Sequence, residues 1–561
     1  MMMKKYVVLL AILACHSLFV KAQQKSFTME DSLRGTLGEG RTWWDLLHYE
    51  IGLKPDYGNL SITGSNKITF KTKAGNQPGY LQLDLQEPMK VDSVLFKNKA
   101  LKINKKGRYA WMVNFTEKFN AGDTLAIQVF FSGKPRRAIK APWDGGFIFD
   151  KDKEGRRWMT IACQGIGASV WLPCKDHQED EPDMGVVQHI TVDAALTAVA
   201  NGRLTGVKDE QNGTKTFSWK VESPINNYSI IPYIGHYINN GETYQGENGK
   251  LDMNYWVLDY NADKIDYLKT DARRTIKALE YWFGPYPFYK DGYQLIEAPH
   301  LGMEHQSAVA YGNQFKPGYL GRDLSGSGWG KKFDFITVHE SGHEWFGNNI
   351  TSKDVADMWI HESFTCYSET LFLDFFYGNQ AGNEYNQGIR KNIANDEPVI
   401  GAYGVNSRGS GSDMYYKGAN MLHTIRHSVN DDSLFRKMLR DMGQAYYHKT
   451  VTTEQVEQFI NKKLNTDFST VFTQYLRTTQ VPELEFYIKK DKIYFRYTNC
   501  VKGFDLPLTL SIPAGTENKT IRITPKESWQ NIKTFEKSEL YFNKENIEKM
   551  YYLNVKNIKS K

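Results

Sequence analysis

The segment Val338-His339-Glu340-Ser341-Gly342-His343 constrains this chain more than any other stretch. Each residue of an α-helix turns by about 100°, so histidines four apart return to nearly the same face, one turn above the other. Their imidazoles can then reach a single ion. A hydrolytic zinc site takes three protein ligands and keeps a fourth position open, so the pair needs one more donor. Glu362, separated from His343 by eighteen residues and placed at the start of a second predicted helix, is the candidate. Glu340 points to the side of the ligand face, where a carboxylate can take a proton from an attacking water without binding the metal. Imidazole plus one carboxylate suits zinc better than magnesium or calcium, which prefer oxygen shells. With 13 His in 561 residues, a chance H-E-x-x-H is expected roughly 0.02 times in such a chain. A surface helix with two solvated histidines is therefore the weaker reading.

A chain of 561 residues exceeds one hydrophobic core, and at about 150 residues per domain it suggests three or four domains. Hydrophobic residues at 41% and charged residues at 24% are ordinary for a globular protein. The net charge of +6 is mild, and no basic run interleaves with aromatics, so nucleic-acid binding has no support. At the amino terminus Lys4-Lys5 precedes an apolar run from Tyr6 to Ala14 and small residues near Ala22. The run is too short for a membrane span and reads as a signal peptide over 1–22, hence export, periplasmic or secreted. Ile12-Leu13-Ala14-Cys15 also resembles a lipoprotein box, which would anchor the chain through Cys15. The remaining Cys163, Cys174, Cys366 and Cys500 are too few for a disulfide scaffold, although Cys163 and Cys174 could pair.

Period-two alternation begins near Asp45, with Tyr49, Ile51 and Leu53 on one face, and continues with turn clusters to about residue 245. An all-β domain over 23–245 is expected. From about Asp263, Ile265, Leu268, Ala272, Ile276, Leu279 and Phe283 recur at helical spacing, and Gly284-Pro285 ends the run. A strand at Tyr293–Glu297, a turn at Gly302-Met303-Glu304 and a strand through Ala308–Tyr311 follow. Helices then dominate, and Thr452-x-x-Gln455 opens one as a capping box. A mixed catalytic domain over 246–480 is expected. Alternation returns beyond Val481-Pro482, enough for a small β-sandwich over 481–561.

His339-Glu340-x-x-His343, eighteen residues and Glu362 match the gluzincin pattern, and Trp345 and Gly347 after it resemble the aminopeptidase N family. Gly302-Met303-Glu304-His305 resembles that family's G-x-M-E-N motif, Tyr415-Tyr416-Lys417-Gly418 its Y-x-K-G, and Gln164 before Trp171-Leu172-Pro173 its upstream substrate segment. The resemblance spans roughly residues 43 to 480. It implies a multidomain α+β fold: an all-β saddle or sandwich, a thermolysin-like zinc catalytic domain and a small C-terminal β-sandwich. It also implies a metallo-aminopeptidase with one zinc on His339, His343 and Glu362, and peptide substrates with a free amino terminus. Relatives often carry a further helical domain, and without one the cleft is expected to be more open.

Under this resemblance Glu340 is the general base and Tyr415 the oxyanion donor, a phenol that stays protonated at neutral pH. Glu304 would pair with the substrate α-ammonium and leave room for one residue on that side of the scissile bond. Gln164 would touch the same amine, Gly302 and Met303 would line the first side-chain pocket, and Glu369 would hold a ligand from behind or be a plain helix glutamate. His305 stands where the family usually has Asn, and Ser363 where it commonly has Gly. Two rival readings remain: a zinc endopeptidase on the same scaffold, and a non-catalytic surface module that binds peptides or a partner. Oligomeric state and side-chain preference are not readable from the sequence.

Overall fold

The computed structural model describes residues 26–533 and 542–559, apart from Asn76 and 515–516. The expected signal segment at 1–22, with Cys15, lies outside the described residues. The first domain is mainly β, but the expected all-β stretch opens with two short helices, Met29–Gly35, whose start the Thr28 and Asp31 side chains cap, and Glu39–Thr42. Its longest strand, Trp44–Asp56, buries Tyr49, Ile51 and Leu53 as the period-two pattern predicts. That strand pairs antiparallel with Ser61–Thr72 and parallel with Val186–Asp193 inside an eight-stranded sheet. A three-stranded sheet (Tyr80–Asp84, Ala110–Asn114, Lys102–Lys106) and a four-stranded sheet cover it. Buried Arg41 and Asp84 form an ion pair inside this domain.

A six-stranded sheet then joins the first domain to the site. Its strands run Tyr237–Asn239, Gly249–Leu258, Tyr293–Glu297, Val309–Tyr311 and Gly302–Met303, with Glu242–Gly246 also paired to Gly249–Leu258. The expected division at 245/246 falls inside one of these strands. Alternation shows that a segment is a strand, but not which sheet it joins. Both faces of this sheet are covered. Met253, Tyr255, Leu295, Val309 and Tyr311 pack towards the helices, whereas Trp256, Leu258, Ile296, Ala308 and Ala310 belong to the first domain's core. Successive side chains of a strand point to opposite faces, so one short strand fixes the helices and the first domain together.

The helix Ile265–Phe283 buries its apolar stripe against this sheet and stops at Gly284, whose φ of 96° suits glycine. The helix Phe335–Gly342 carries His339 and Glu340, with His343 at its C-cap. Its N-cap Asp334 accepts from Thr337 N at 3.0 Å and from the hydroxyls of Tyr311 and Tyr267 at 2.8 and 3.0 Å. One carboxylate thus caps the helix and ties it to the sheet. The helix Trp359–Tyr377 brings Glu362 to it, and Asp413–Val429 packs alongside. Thr452 and Gln455 form the expected capping box.

The C-terminal region is β: Glu483–Lys489, Lys492–Thr498, Gln530–Lys533 and Asn554–Asn557 form a four-stranded sheet, and Leu508–Ala514 pairs with Glu517–Ile523. Leu484, Phe486, Ile493 and Tyr497 share one continuous core with the helices Phe335–Gly342, Trp359–Tyr377 and Asp413–Val429. Cys163, Cys174, Cys366 and Cys500 are all free thiols. No helix among the described residues is long and apolar enough to cross a membrane.

The two helices that frame the cleft touch at Gly418. A Cβ there would lie 1.7 Å from Ser363 Oγ, and that hydroxyl donates to Met414 O at 2.7 Å. Gly418→Ala is expected to cost about 1–3 kcal/mol by overpacking, read as a lower denaturant midpoint. The double substitution with Ser363→Gly should recover most of the loss. An unchanged midpoint for Gly418→Ala would show that the helices are not held this closely.

Candidate active site

His339 and His343 come together on one side of their helix, with rings 5.1 Å apart. Glu362 Oε2 faces both: 3.9 Å from His339 Nε2 and 3.4 Å from His343 Nε2. Donors on a tetrahedral ion with bonds of ~2.0–2.1 Å sit roughly 3.3 Å apart, so the three expected ligands stand near the required spacing. The far ring nitrogens are already committed. His339 Nδ1 donates to Glu369 Oε1 at 2.8 Å, and Glu369 in turn accepts from the Tyr385 hydroxyl. His343 Nδ1 donates to the Phe346 carbonyl at 3.0 Å. Nε2 is thereby the nitrogen that each ring turns towards Glu362, and the one that would bind a metal once free of its proton. Glu362 Oε2 is buried without a hydrogen-bond partner among the described residues, a costly arrangement unless a cation completes it. The donor set fits zinc.

A second anion adjoins this set. Ligand atoms of Glu304, Glu340 and His343 all lie within 4.8 Å of one another. Gln164 donates its amide to Glu304 Oε1 and, at 3.2 Å, to Glu362 Oε1. The Tyr228 hydroxyl donates to Glu304 Oε1 at 3.2 Å, and Asn348 Nδ2 holds the Glu304 carbonyl at 2.9 Å. Glu304 is thus fixed from three sides at the edge of the metal donors.

Four glutamates, Glu304, Glu340, Glu362 and Glu369, are buried around two imidazoles. Burial pushes the Glu340 carboxyl up to about 7, against the opposing pull of His339 and His343. Burial also pushes Glu304 up, with Glu362 adding to it and His343 opposing. Burial would lower His343, but the Glu304, Glu362 and Glu340 carboxylates override it and lift the ring to about 10. Glu362 goes the other way: burial raises it, and the two imidazoles outweigh that and hold it at about 2. The pocket therefore demands positive charge.

The Tyr415 ring stacks on His339 with centroids 6.0 Å apart. Burial and the Glu362 charge push its phenol well up, so it remains a donor. Gly302 lets its strand approach Glu340: a Cβ there would fall 2.7 Å from Glu340 Oε1. Met303, next along, is buried at the cleft wall. The cleft in front of these groups has a volume of about 490 Å³. His305 does not enter it. Its Nδ1 faces the Tyr233 hydroxyl at 2.5 Å, and burial keeps the ring neutral. The serine at 363 serves helix packing rather than the cleft.

Gln164, Gly302, Met303, Glu304, His339, Glu340, His343, Glu362 and Tyr415 all line the cleft, and Glu369 takes the position behind His339. Tyr228, Asn348 and Tyr385 were not legible beforehand. Tyr228 and Tyr385 are two of 33 tyrosines, and Asn348 lies just past Gly347 with no spacing rule to mark it.

The Peptidase M1 N-terminal domain model matches residues 46–228, and the Peptidase family M1 domain model matches residues 269–475. The chain belongs to peptidase family M1, a family of zinc metallopeptidases. It is 22% identical over 496 residues to Probable aminopeptidase 2 of Sulfurisphaera tokodaii, covering 83% of this chain and 58% of that protein. It is likewise 22% identical over 455 residues to Leukotriene A-4 hydrolase of Xenopus laevis, covering 74% of this chain and 68% of that one. The fold matches the M1 zinc metallopeptidase of Deinococcus radiodurans with a TM-score of 0.64 at 20% identity, over 78% of this chain and 95% of that one. The chain spans little more than half the length of several curated relatives that it matches.

Two outcomes are expected for metal binding. Without metal, His343 carries a proton at pH 7 that zinc must displace, because its pKa lies at about 10. Zinc loading should release that proton and weaken about tenfold per pH unit on acidification. Calorimetry in buffers of different ionisation enthalpy reads this, and a pH-independent affinity contradicts it. Glu369→Ala should weaken zinc roughly 10–100-fold by freeing His339; unchanged affinity would reduce Glu369 to a packing residue.

Proposed function

We propose that this protein is a zinc aminopeptidase that hydrolyses the first peptide bond of peptides with a free amino terminus. The observation that carries this reading is Glu304. It is a buried carboxylate fixed by Gln164 and Tyr228 and lies within 4.8 Å of Glu340 and His343. An α-ammonium placed there gains a charge-assisted hydrogen bond and relieves the burial cost of the anion. A peptide continuing past that point would set a neutral amide against the same carboxylate. One residue therefore fits on that side of the scissile bond.

His339, His343 and Glu362 would hold one zinc ion, which when bound supplies Lewis-acid activation of water and polarisation of the substrate carbonyl. Glu340 takes a proton from the attacking water and passes it to the leaving nitrogen as the carbon–nitrogen bond breaks. Its elevated pKa of about 7 suits both transfers, since the carboxylate is a stronger base than a solvated one. The Tyr415 hydroxyl donates to the oxygen on which charge develops and adds no charge of its own. Gln164 and Glu304 orient the amine. The Lys4-Lys5 and Tyr6 to Ala14 pattern supports export of the mature chain, with Cys15 as an alternative lipid anchor.

Purified protein is expected to cleave a short peptide with a free amino terminus and to leave its amino-acetylated form intact. Glu304→Gln should raise KM for the free peptide by roughly tenfold or more with zinc content unchanged. Equal cleavage of both forms would instead support an endopeptidase. Glu340→Gln should keep zinc and lose turnover, and normal turnover in that variant would remove the general-base assignment.

A further inference from the structure

The cleft is lined by five carboxylates, Asp144, Glu304, Glu340, Glu362 and Glu369, but by a single Lys or Arg among the described residues, Arg408. The Arg408 guanidinium makes no hydrogen bond, ion pair or ring contact to any described residue. The one anion outside the metal and amine sites, Asp144, is already taken by the backbone N–H groups of Ile139 and Lys140 at 2.7 and 2.9 Å. Arg408 is exposed at the cleft wall, on the segment that precedes the Tyr415 helix.

Its location relative to the other groups is defined on two sides. A Cβ on Gly165 would lie 3.8 Å from Arg408 Nη2, and Gly165 follows Gln164, which holds the amine-binding Glu304. On the other side Arg408 lines the same cleft as Tyr415, whose phenol burial and the Glu362 charge push up with the Arg408 charge opposing. In the aminopeptidase reading the first residue of a substrate has its ammonium at Glu304 and its carbonyl oxygen at Tyr415. Its side chain leaves the carbon between those two points. Arg408 stands beside that path.

We propose that Arg408 is a specificity-determining residue that receives a carboxylate on the side chain of the first substrate residue, so that peptides beginning with glutamate or aspartate are preferred over their neutral isosteres. The proposal rests on the aminopeptidase reading for the orientation of the substrate. A guanidinium presents a planar fork of N–H donors that matches a carboxylate with two parallel hydrogen bonds. Glu304, Glu340 and Glu362 repel an acidic side chain at the inner end of the cleft, and among the described residues Arg408 is the one Lys or Arg on the otherwise largely apolar wall that can receive it. Lysine or arginine at the first position would face Arg408 as a like charge.

The test compares the α-amides of glutamate and glutamine, which differ only in the side-chain terminus, by calorimetry on the zinc-loaded protein. The glutamate amide is expected to bind roughly tenfold tighter, and Arg408→Ala should reduce the ratio to about two or less. Arg408→Glu should invert the order and favour lysine amide. Equal binding of the two amides by the unaltered protein, or a ratio that survives Arg408→Ala, overturns the proposal. So does Arg408-dependent binding of free leucine without discrimination between the amides, which would assign the guanidinium to a terminal carboxylate. These readouts need no turnover. Failure of the aminopeptidase reading shows separately, as equal cleavage of free and acetylated peptides.

Discussion

The site depends on an excess of buried negative charge. Glu304, Glu340, Glu362 and Glu369 converge on two imidazoles inside the protein, where an unpaired carboxylate is expensive to desolvate. Among the described residues, the only positive charge that the metal-free chain sets among them is that of protonated imidazole. In the reading proposed above, one zinc ion on His339, His343 and Glu362 would answer one part of this charge and a substrate ammonium at Glu304 the other, so that metal and substrate meet the same electrostatic demand at two adjacent points. Lys and Arg are kept out of this inner shell, with Arg408 set apart at the wall.

Such an arrangement survives only if the surrounding fold forbids relaxation. The two-faced sheet does this. Gly302 and Met303 lie on an edge strand of that sheet, and Asp334 couples its Tyr311 to the zinc helix. The first domain contributes Gln164 and Tyr228 across the opposite face. Movement of either domain would pull these donors from Glu304, so the interface is part of the site.

Much of this was legible in the sequence because it is periodic or closely spaced. Helical spacing placed His339 and His343 on one face, and alternation identified Tyr49, Ile51 and Leu53 as core. Gly284 marked a helix end, and Thr452 with Gln455 a helix start. The less legible parts depend on three-dimensional proximity between distant segments. Tyr228 reaches Glu304 across 76 positions and Tyr385 reaches Glu369 across 16, with nothing in either local pattern to mark the partner. The sheet that takes strands from both sides of residue 245 is a similar case. The glycine at 418 belongs to a motif, yet its physical reason, the Ser363 side chain against it, appears only once the helices are packed. His305 departs from the related motif and turns out to be a neutral core residue against Tyr233, away from the metal donors.

The most direct test of the charge account is a crystal structure of the zinc-loaded Glu340→Gln variant with a short free-amine peptide bound. Zinc is expected on His339 Nε2, His343 Nε2 and Glu362, with the peptide ammonium within hydrogen-bonding distance of Glu304 and a single residue on that side of the scissile bond. A peptide that runs past Glu304 with residues on both sides, or a metal held by Glu304 instead of Glu362, would contradict it.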